Sequence, residues 1–421
     1  MQVLVVGRGG REHVLCEKIA ASPRVRKVYV APGNPGMADV AMPLPCGEND
    51  HQKLVEFCRE EGIDLVIVGP EKPLVEGLSD LLAQEGICVF APSQRAAQIE
   101  GSKSFAKQLM EKHNIPTGRY RTFCDFGLAR DYVEQSSLPV VIKADGLAAG
   151  KGVVVASTQA EAIDALRDML VEHRFGEASS TVIIEEFLEG EEFSLMALVH
   201  GELVVPLDVA QDHKRAFDGD RGPNTGGMGA YSPAPHISPE VVEEAITEIL
   251  EPAARALVQE GMPFTGVLYA GLMLTKEGTK VIEFNARFGD PETQVLLPRL
   301  ESDLVEVIGE VLEGRRPELK WSAKAMVGVV VASKGYPEAY TKGVLLPSFE
   351  SEEGVHIYYS GVSQNAEGEL FSDGGRVYLA ASQGDSLQEA QSRVYAFLEQ
   401  YSDPNMFYRT DIAHRALPRG H

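Results

Sequence analysis

The chain has 421 residues, of which 44% are hydrophobic and 24% charged, and its formal net charge is −23. A chain of this length exceeds what one hydrophobic core usually supports, so we expect two to four structural units around a cleft. The strong negative charge argues against nucleic acid and anionic membrane surfaces as partners.

The first hundred residues alternate short β-branched runs with stretches suited to helices. The runs are VLVV, KVYV, DLVIVG and CVFAP, and a helix is expected over 50–62. This alternation predicts a parallel α/β domain. The start lacks a signal-peptide pattern, no segment is apolar for long enough to span a bilayer, and the five cysteines are scattered. We therefore expect a cytoplasmic protein with reduced thiols.

A glycine turn follows the first run. Gly9 and Gly10 precede a helix-compatible stretch, and a helix N-terminus with glycines can hold an anion. The NAD interpretation is disfavoured, because Glu12 occupies the third glycine position of G-x-G-x-x-G and no acidic residue follows the second strand.

A second glycine-rich segment, LPVVIKADGLAAGKGVVVAS, has the pattern of a hairpin. Lys143 and Lys151 stand near the ends of its loop, and Gly150 and Gly152 would let backbone N–H groups approach phosphate oxygens. The segment is not a P-loop, because Lys151 is followed by Gly152 and a strand. The alternative is a surface hairpin with solvated lysines.

The next segment, TVIIEEFLEGEEFSLMALV, predicts a strand, an acidic connector and a strand. Backbone groups of Glu186, Phe187 and Leu188 could pair with a purine edge, and Glu192 could accept from ribose hydroxyls. An ordinary acidic turn is the alternative.

The stretch 211–235 is rich in glycine, asparagine, aspartate and basic residues, so it is predicted to be a binding loop. We call it the glycine-rich loop. We do not assign His213 as a metal ligand. The loop offers groups for a carboxylate and a sugar phosphate on Asp212, His213, Lys214, Arg215, Asn224, Thr225, Gly226 and Gly227.

The run KVIEFNARFGDPETQ places Glu283 and Asn285 two residues apart, on one face of a predicted strand. A carboxylate and an amide oxygen suit Mg²⁺, and Arg287 would continue that face towards a transferring phosphoryl group. A half-exposed polar strand is the alternative, but it leaves the turn after Gly289 without a role. A break near 313–324 then precedes a mixed α/β unit with strands near AMVGVVVAS, VHIYYSG and GRVYLAAS and a helix over 386–400.

Four ordered motifs together resemble the ATP-grasp superfamily: Lys103 in EGSKSFAK, the glycine hairpin, EEFLEGEE and EFNARFGDPE. Within it, VGRGGREH, PGNPG, QDHKR and GPNTGGMGAYSP resemble the phosphoribosylamine–glycine ligase family over essentially the whole chain. The resemblance implies an α/β fold with an N-terminal parallel domain over 1–101 and an ATP-grasp domain over 102–320. It also implies an α+β lid at about 122–188 and a C-terminal mixed α/β domain over 325–421.

The resemblance further implies an ATP-dependent ligase of purine biosynthesis that acts on glycine and 5-phosphoribosylamine through a glycyl phosphate, as a monomer. Glu283 and Asn285 would bind Mg²⁺ or Mn²⁺, and Arg287 would stabilise charge at the phosphoryl transfer. ATP would be held by Lys103, Lys143, Gly150, Lys151, Gly152, Glu185, Glu186, Phe187, Leu188 and Glu192. The two other substrates would be held by Gly9, Gly10, Asn34, Asp290, Pro291, Glu292 and the eight residues of the glycine-rich loop. The alternatives are another ATP-grasp ligase, a nucleotide-binding regulatory protein and a nicotinamide oxidoreductase.

Overall fold

The computed structural model describes residues 1–148 and 152–417, and its N-terminal part is a parallel sheet. The strands are β1 (Gln2–Gly7), β2 (Lys27–Pro32), β3 (Met42–Pro43), β4 (Leu65–Val68) and β5 (Val89–Phe90), in the order β3-β2-β1-β4-β5. The helices here are α1 (Gly10–Ala20), α2 (His51–Glu61), α3 (Glu71–Val75) and α4 (Leu78–Gln84). Strands β1 and β4 are buried throughout, as parallel strands covered on both faces should be.

Gly7 shapes the turn between β1 and α1. Its φ is +130°, and a Cβ added there would lie 2.6 Å from Cγ of Glu12. The space beside the turn is therefore filled by the Glu12 side chain.

A second sheet follows two short helices, α5 (Gln98–Gly101) and α6 (Lys103–Lys112). Its strands are β6 (Tyr120–Phe123), β7 (Val140–Ala144), β8 (Val153–Ala156) and β9 (Val182–Glu186), in the order β6-β9-β7-β8. Helices α7 (Phe126–Glu134) and α8 (Gln159–Leu170) pack on it and share a separate hydrophobic core with it.

The middle of the chain adds an antiparallel sheet and a set of short strands. The strands are β10 (Glu191–His200), β11 (Leu203–Pro206), β12 (Gln211–Asp212), β13 (Arg215–Phe217), β14 (Arg221–Asn224), β15 (Gly229–Ser232), β16 (Thr265–Thr275) and β17 (Gly278–Asn285). One sheet has the order β11-β10-β16-β17, and β13 pairs with β14. The helices are α9 (Pro239–Ala245), α10 (Glu251–Gln259), α11 (Thr293–Leu296) and α12 (Leu304–Leu312), with a π-helical turn at Ile246–Leu250.

The C-terminal part completes a sheet that the glycine-rich loop begins. Its elements are β18 (Ala325–Ser333), β19 (Val355–Tyr359), β20 (Val362–Gln364), β21 (Leu370–Ser372), β22 (Arg376–Gly384), α13 (Leu387–Glu399) and β23 (Met406–Phe407). The sheet has the order β12-β15-β18-β22-β19, and β23 also pairs with β18. The glycine-rich loop is thereby held by hydrogen bonds to the C-terminal region.

The predicted α/β fold class is confirmed, but two local predictions were wrong. The glycine-rich loop contains four short strands, because its backbone pairs with itself and with β18. Strand β17 ends at Asn285, so Arg287 lies beyond the strand and not on its face. Across the described ranges, no helix is long and apolar enough to cross a membrane, and all five cysteines are free thiols.

Candidate active site

The glycine turn after β1 already uses the backbone donors that we expected to meet an anion. Glu12 Oε2 accepts from Gly9 N at 2.6 Å, and Ser360 Oγ accepts from Gly10 N at 2.9 Å. Glu12 also pairs with Arg11 at 2.5 Å, so the turn has its own carboxylate at the helix N-terminus. Gly9 and Gly10 therefore lie at the edge of the site, and their backbone N–H groups are already used within the protein.

A cavity of about 310 Å³ opens between this turn and the C-terminal region, and its charged lining consists of three cations and two carboxylates. Arg8 and Lys342 approach one carboxylate, that of Asp373, at 3.8 and 3.2 Å. Arg376 pairs with Asp290 at 3.1 Å. The size and the basic lining suit a small phosphorylated ligand. Sequence reasoning missed these cations: Arg8 sits within a motif read for its glycines, and no local motif marks the other two.

Asn34 fixes the backbone beside this cavity. Its Nδ2 donates to the carbonyl oxygens of Arg8 at 2.7 Å and Tyr359 at 3.0 Å, and its Oδ1 accepts from Gly36 N at 2.9 Å. Both amide donors are therefore used within the protein, and the side chain links the N-terminal turn to β19.

The glycine-rich loop meets the turn 289–292 at the same cavity. Arg376 Nη1 donates to the carbonyl oxygens of Gly226 at 2.8 Å and Asp290 at 3.0 Å. Gly227 has a φ of +109°, and a Cβ added there would lie 2.4 Å from Cδ of Pro291. Only glycine permits this approach. The structure thus brings two separately predicted segments together.

Hydrogen bonds within the glycine-rich loop order its other residues. Thr225 Oγ1 donates to the carbonyl oxygen of Lys214 at 2.9 Å. Arg215 and Asn224 are cross-strand partners in β13 and β14, and Arg215 Nη1 donates to the carbonyl oxygen of Gly222 at 2.9 Å. The hydrogen bonds of Thr225 and Arg215, and the strand pairing of Arg215 with Asn224, stabilise the loop around Lys214.

A cluster of opposite charges lies at the start of the loop. Lys214 Nζ pairs closely with Glu192 and stands 4.0 Å from Glu283 Oε1. Asp212 Oδ1 is buried and finds no hydrogen-bond partner among the described residues. Burial raises the pKa of Asp212 well above its ordinary value, and Glu292 adds to this although Lys214 opposes it. Burial disfavours the Lys214 ammonium, but Glu192 and Asp212 outweigh that and raise its pKa. The cluster can meet both the ammonium and the carboxylate of an amino acid.

Glu292 forms the floor of this cluster. It is only 2% exposed, and its Oε1 accepts from Ser194 Oγ at 3.2 Å and from the Tyr269 hydroxyl. Two hydroxyl donors therefore hold the buried carboxylate in place.

A buried carboxylate, that of Glu185, lies between two lysines. Glu185 pairs with Lys143 at 3.0 Å and with Lys107 at 2.9 Å, and all three side chains are at most 5% exposed. Lys143 Nζ also donates to the carbonyl oxygen of Ile282, the residue before Glu283 in β17, at 3.1 Å. Sequence reasoning missed Lys107, although it follows Lys103 by one helical turn on α6, which places both on one face.

Lys103 and the glycine hairpin lie close together. Lys103 Nζ donates to the carbonyl oxygen of Gly146 at 3.1 Å. Burial lowers the pKa of Lys103, while Glu283 opposes that shift. Gly152 is buried beside the hairpin strand β8. Gly150 and Lys151 lie outside the described residues.

The connector between β9 and β10 is partly open to solvent. Glu186 pairs with Arg119 at 2.7 Å, and its backbone N donates to the Arg119 carbonyl oxygen at 2.9 Å. Phe187 is 40% exposed, and Leu188 is half-buried. An exposed aromatic ring with adjacent backbone groups can receive a planar ligand.

Glu283 and Asn285 are two hard oxygen donors at the end of β17. Among the described residues the nearest cation to Glu283 is Lys214, so its carboxylate is not consumed by a close ion pair. Burial raises the pKa of Glu283, but the nearby cations, Lys214 and Lys143 foremost, lower it by more. The net shift of the Glu283 pKa is therefore downward. No group of three or more acidic, histidine or cysteine side chains suited to a metal occurs in the described ranges. An ion here would therefore need ligand oxygens from a nucleotide as well, as Mg²⁺ commonly does.

Arg287 is held at the edge of this pair by carboxylates. Its Nη2 lies 3.0 Å from Glu100 Oε1 and donates to Asn285 Oδ1 at 3.2 Å, while its Nε is 3.7 Å from Glu71 Oε2. Burial disfavours its charge, but Glu100 and Glu71 raise the pKa of Arg287 above its ordinary value. Sequence reasoning missed both glutamates, since each lies some two hundred residues before the arginine it orients.

His213 turns away from the cleft towards the end of the chain. It is 2% exposed, its Nε2 accepts from Ala413 N at 3.1 Å, and its Nδ1 lies 3.9 Å from Asp220 Oδ1. Burial lowers the pKa of His213, and its Nε2 is the acceptor in the hydrogen bond from Ala413 N. These contacts link the glycine-rich loop to the C-terminal segment.

Comparison with known proteins gives one family over nearly the whole chain. Models of the phosphoribosylglycinamide synthetase N domain, ATP-grasp (A) domain and C domain match residues 1–100, 101–293 and 326–415. A phosphoribosylamine–glycine ligase from Halalkalibacterium halodurans is 57% identical over 99% of this chain and 97% of its own length. One from Listeria innocua is 54% identical over 99% of this chain and all of its own.

Solved structures agree with the sequence comparisons. The crystal structure of a phosphoribosylamine–glycine ligase from Thermotoga maritima has a TM-score of 0.87 and 33% identity, covering 98% of this chain and 100% of its own. A biotin carboxylase from Campylobacter jejuni has a TM-score of 0.74 at 13% identity, covering 97% of this chain and 92% of its own, and shares the fold alone.

Proposed function

Because the chain belongs to the phosphoribosylglycinamide synthetase family, we propose that it is the ATP-dependent ligase that joins glycine to 5-phosphoribosylamine in purine biosynthesis. One structural observation gives the main support for this proposal. The glycine-rich loop reaches Glu283 through Lys214 and reaches the basic cavity through Gly226. A nucleotide, an amino acid and a sugar phosphate can therefore lie in a row along one loop.

The reaction needs an activated carboxylate, because a carboxylate anion is a poor electrophile. A glycine carboxylate oxygen attacks the γ-phosphorus of ATP, the bond to ADP breaks, and glycyl phosphate forms. The amine nitrogen of phosphoribosylamine then attacks the glycyl carbonyl, inorganic phosphate leaves, and the amine loses a proton. The products are glycinamide ribonucleotide, ADP and phosphate. Positioning and electrostatics dominate such a transfer.

The nucleotide is proposed to lie between the hairpin and β17. Lys103 and Lys143 are proposed to bind its phosphates, and the same role is proposed for the hairpin residues Gly150, Lys151 and Gly152. Lys107 positions Glu185, which in turn orients Lys143. The adenosine is proposed to be held by Glu185, Glu186, Phe187, Leu188 and Glu192.

A divalent cation, Mg²⁺ or Mn²⁺, fits the donor pair of Glu283 and Asn285. Both are hard oxygen donors, and the lowered pKa of Glu283 keeps its carboxylate ionised. The ion would neutralise charge on the phosphates. Arg287, held by Glu100 and Glu71, is proposed to stabilise the charge that develops on the transferring phosphoryl group.

Glycine is proposed to lie at the charge cluster. Asp212 and Glu292 would receive its ammonium, and Lys214 its carboxylate. Thr225, Gly226 and Gly227 form the adjoining wall, and His213, Arg215 and Asn224 are proposed to act through the loop that they order.

The sugar phosphate is proposed to occupy the 310 Å³ cavity. Arg8, Lys342 and Arg376 would meet its phosphate. Gly9 and Asp290 also line the cavity, and Gly10, Asn34 and Pro291 are proposed to shape it through the backbone beside them.

The domain boundaries 1–101, 102–320 and 325–421 remain part of the proposal, with 122–188 as a lid over the nucleotide. The separate core of the β6-β9-β7-β8 sheet supports a lid that moves as a unit. We also propose that the enzyme is a cytoplasmic monomer.

Phosphate release from ATP tests the proposal. We expect release only when glycine and phosphoribosylamine are both present, with a product of the mass of glycinamide ribonucleotide. Release with a different acid in place of glycine would instead support another ATP-grasp ligase, and hydride transfer with NAD(P)H would support an oxidoreductase.

A further inference from the structure

Residues 409–415, near the end of the described chain, lie across the glycine-rich loop, and we call this segment the C-terminal strap. Helix α13 fixes its back. The Tyr395 hydroxyl donates to the carbonyl oxygen of Arg409 at 2.8 Å and accepts from Ile412 N at 3.0 Å, and Gln391 Nε2 donates to the carbonyl oxygen of Ile412 at 2.7 Å. The strap is therefore anchored on the C-terminal domain before it reaches the loop.

Asp220, at the tip of the loop, receives two arginines from the strap. Arg409 Nη1 lies 3.0 Å from Asp220 Oδ1, and Arg415 Nη2 lies 2.6 Å from Asp220 Oδ2. Arg415 also reaches Glu191, at the start of β10, at 3.2 Å. Arg409 is only 1% exposed, so its pairing is shielded from water.

Backbone groups add two further contacts. Thr410 N donates to Asp218 Oδ1 at 2.8 Å, and Gly219 N donates to Asp411 Oδ2 at 2.8 Å. The strap and the glycine-rich loop thus each accept a hydrogen bond from a backbone N–H of the other. The contact therefore depends on the register of the two segments and not on charge alone.

Two residues with an uncommon backbone conformation take part in this contact. The described residues include four non-glycine residues with positive φ, and two of them are Asp220 at +53° and Ala413 at +70°. Asp220 binds both arginines, and Ala413 N donates to the ring of His213. Such conformations persist only where surrounding contacts enforce them, and they cluster at functional sites.

The strap holds the loop on both sides of Lys214. It binds the His213 ring through Ala413 and the carbonyl oxygen of Arg215 through Arg409 Nη1 at 3.1 Å. Lys214 between them faces Glu192 and Glu283. We propose that the C-terminal strap positions the Lys214 ammonium for the reaction, with Arg409 and Arg415 acting as positioning residues through Asp220. This inference rests on the proposed function, in which Lys214 meets the glycine carboxylate.

A double-mutant cycle between the strap and Lys214 tests the inference. Arg415→Ala removes the contacts with Asp220 and Glu191 at a part-exposed position, so the chain should still fold, and Arg415→Lys keeps the charge. Arg316→Ala is the control, because Arg316 is 58% exposed and meets a single carboxylate, Glu251, at 3.8 Å. We measure kcat, the KM for each substrate and the melting temperature.

The strap proposal predicts a fall in kcat of about tenfold for Arg415→Ala at an unchanged melting temperature, partial recovery in Arg415→Lys and no effect in Arg316→Ala. In the Lys214→Ala background, Arg415→Ala should have no further effect on kcat, because the ammonium that the strap positions is already absent. Additive losses, or an unchanged kcat in Arg415→Ala, would overturn the proposal. Failure of the proposed function is distinguishable, because the wild type would then release no phosphate when glycine and phosphoribosylamine are both supplied.

Discussion

Replacing Glu185 with glutamine should destabilise the protein severely while leaving its shape intact. Lys107 and Lys143 pair with this carboxylate at 2.9 and 3.0 Å and are 3% and 4% exposed. The substitution leaves two buried ammonium groups beside each other without a counter-charge, and removing one partner of a buried ion pair costs roughly 3–5 kcal/mol. Scanning calorimetry should show a melting temperature lower by roughly 2–4 °C for each kcal/mol lost.

The matched control is Glu186→Gln, one residue further along β9. Its partner Arg119 is 89% exposed and can be rehydrated, so a much smaller shift is expected. The pH dependence gives a second check. Burial lowers the pKa of Lys107 even with Glu185 present, and without Glu185 it falls further. Because the unfolded chain then binds more protons, the variant regains stability as the pH rises towards the ordinary lysine pKa of about 10. Equal shifts in both variants, or a gap that is constant with pH, would refute the reasoning.

Three further substitutions test the site. Glu283→Ala should remove most turnover, and wild-type activity at saturating Mg²⁺ would contradict the metal assignment. Arg287→Ala should lower kcat more than it raises the KM for ATP, because its charge is needed mainly in the transition state; steady-state kinetics with the opposite pattern would contradict this. Arg376→Ala should raise the KM for phosphoribosylamine by roughly tenfold or more, since a charge-assisted phosphate contact is lost, and an unchanged KM would exclude Arg376 from the cavity's ligand contacts.

Individual strands and helices could be predicted from the pattern of their own residues. The β-branched run at the start became β1, and the stretch 50–62 contains α2. Period-2 spacing correctly placed Glu283 and Asn285 on one strand. These predictions succeeded because each element's hydrophobic periodicity is written within its own few residues.

Contacts between distant segments were not visible in the sequence. Strand β15 forms because β18, about a hundred residues later, offers it a partner, and no propensity within the loop signals that. Likewise Arg376 meets Asp290, 86 residues earlier, and Arg409 meets Asp220, 189 residues earlier. A pattern reader sees these arginines as ordinary surface charges. The residues that hold a site in place are therefore harder to predict than the motif residues themselves.

In the proposed reaction, ATP activates the glycine carboxylate as an acyl phosphate. Glycine labelled with ¹⁸O in both carboxylate oxygens tests this step directly, by mass spectrometry of the released phosphate. We expect one ¹⁸O atom in each phosphate and the other in the amide of the product. Phosphate without label, formed at the same rate as the amide, would contradict it.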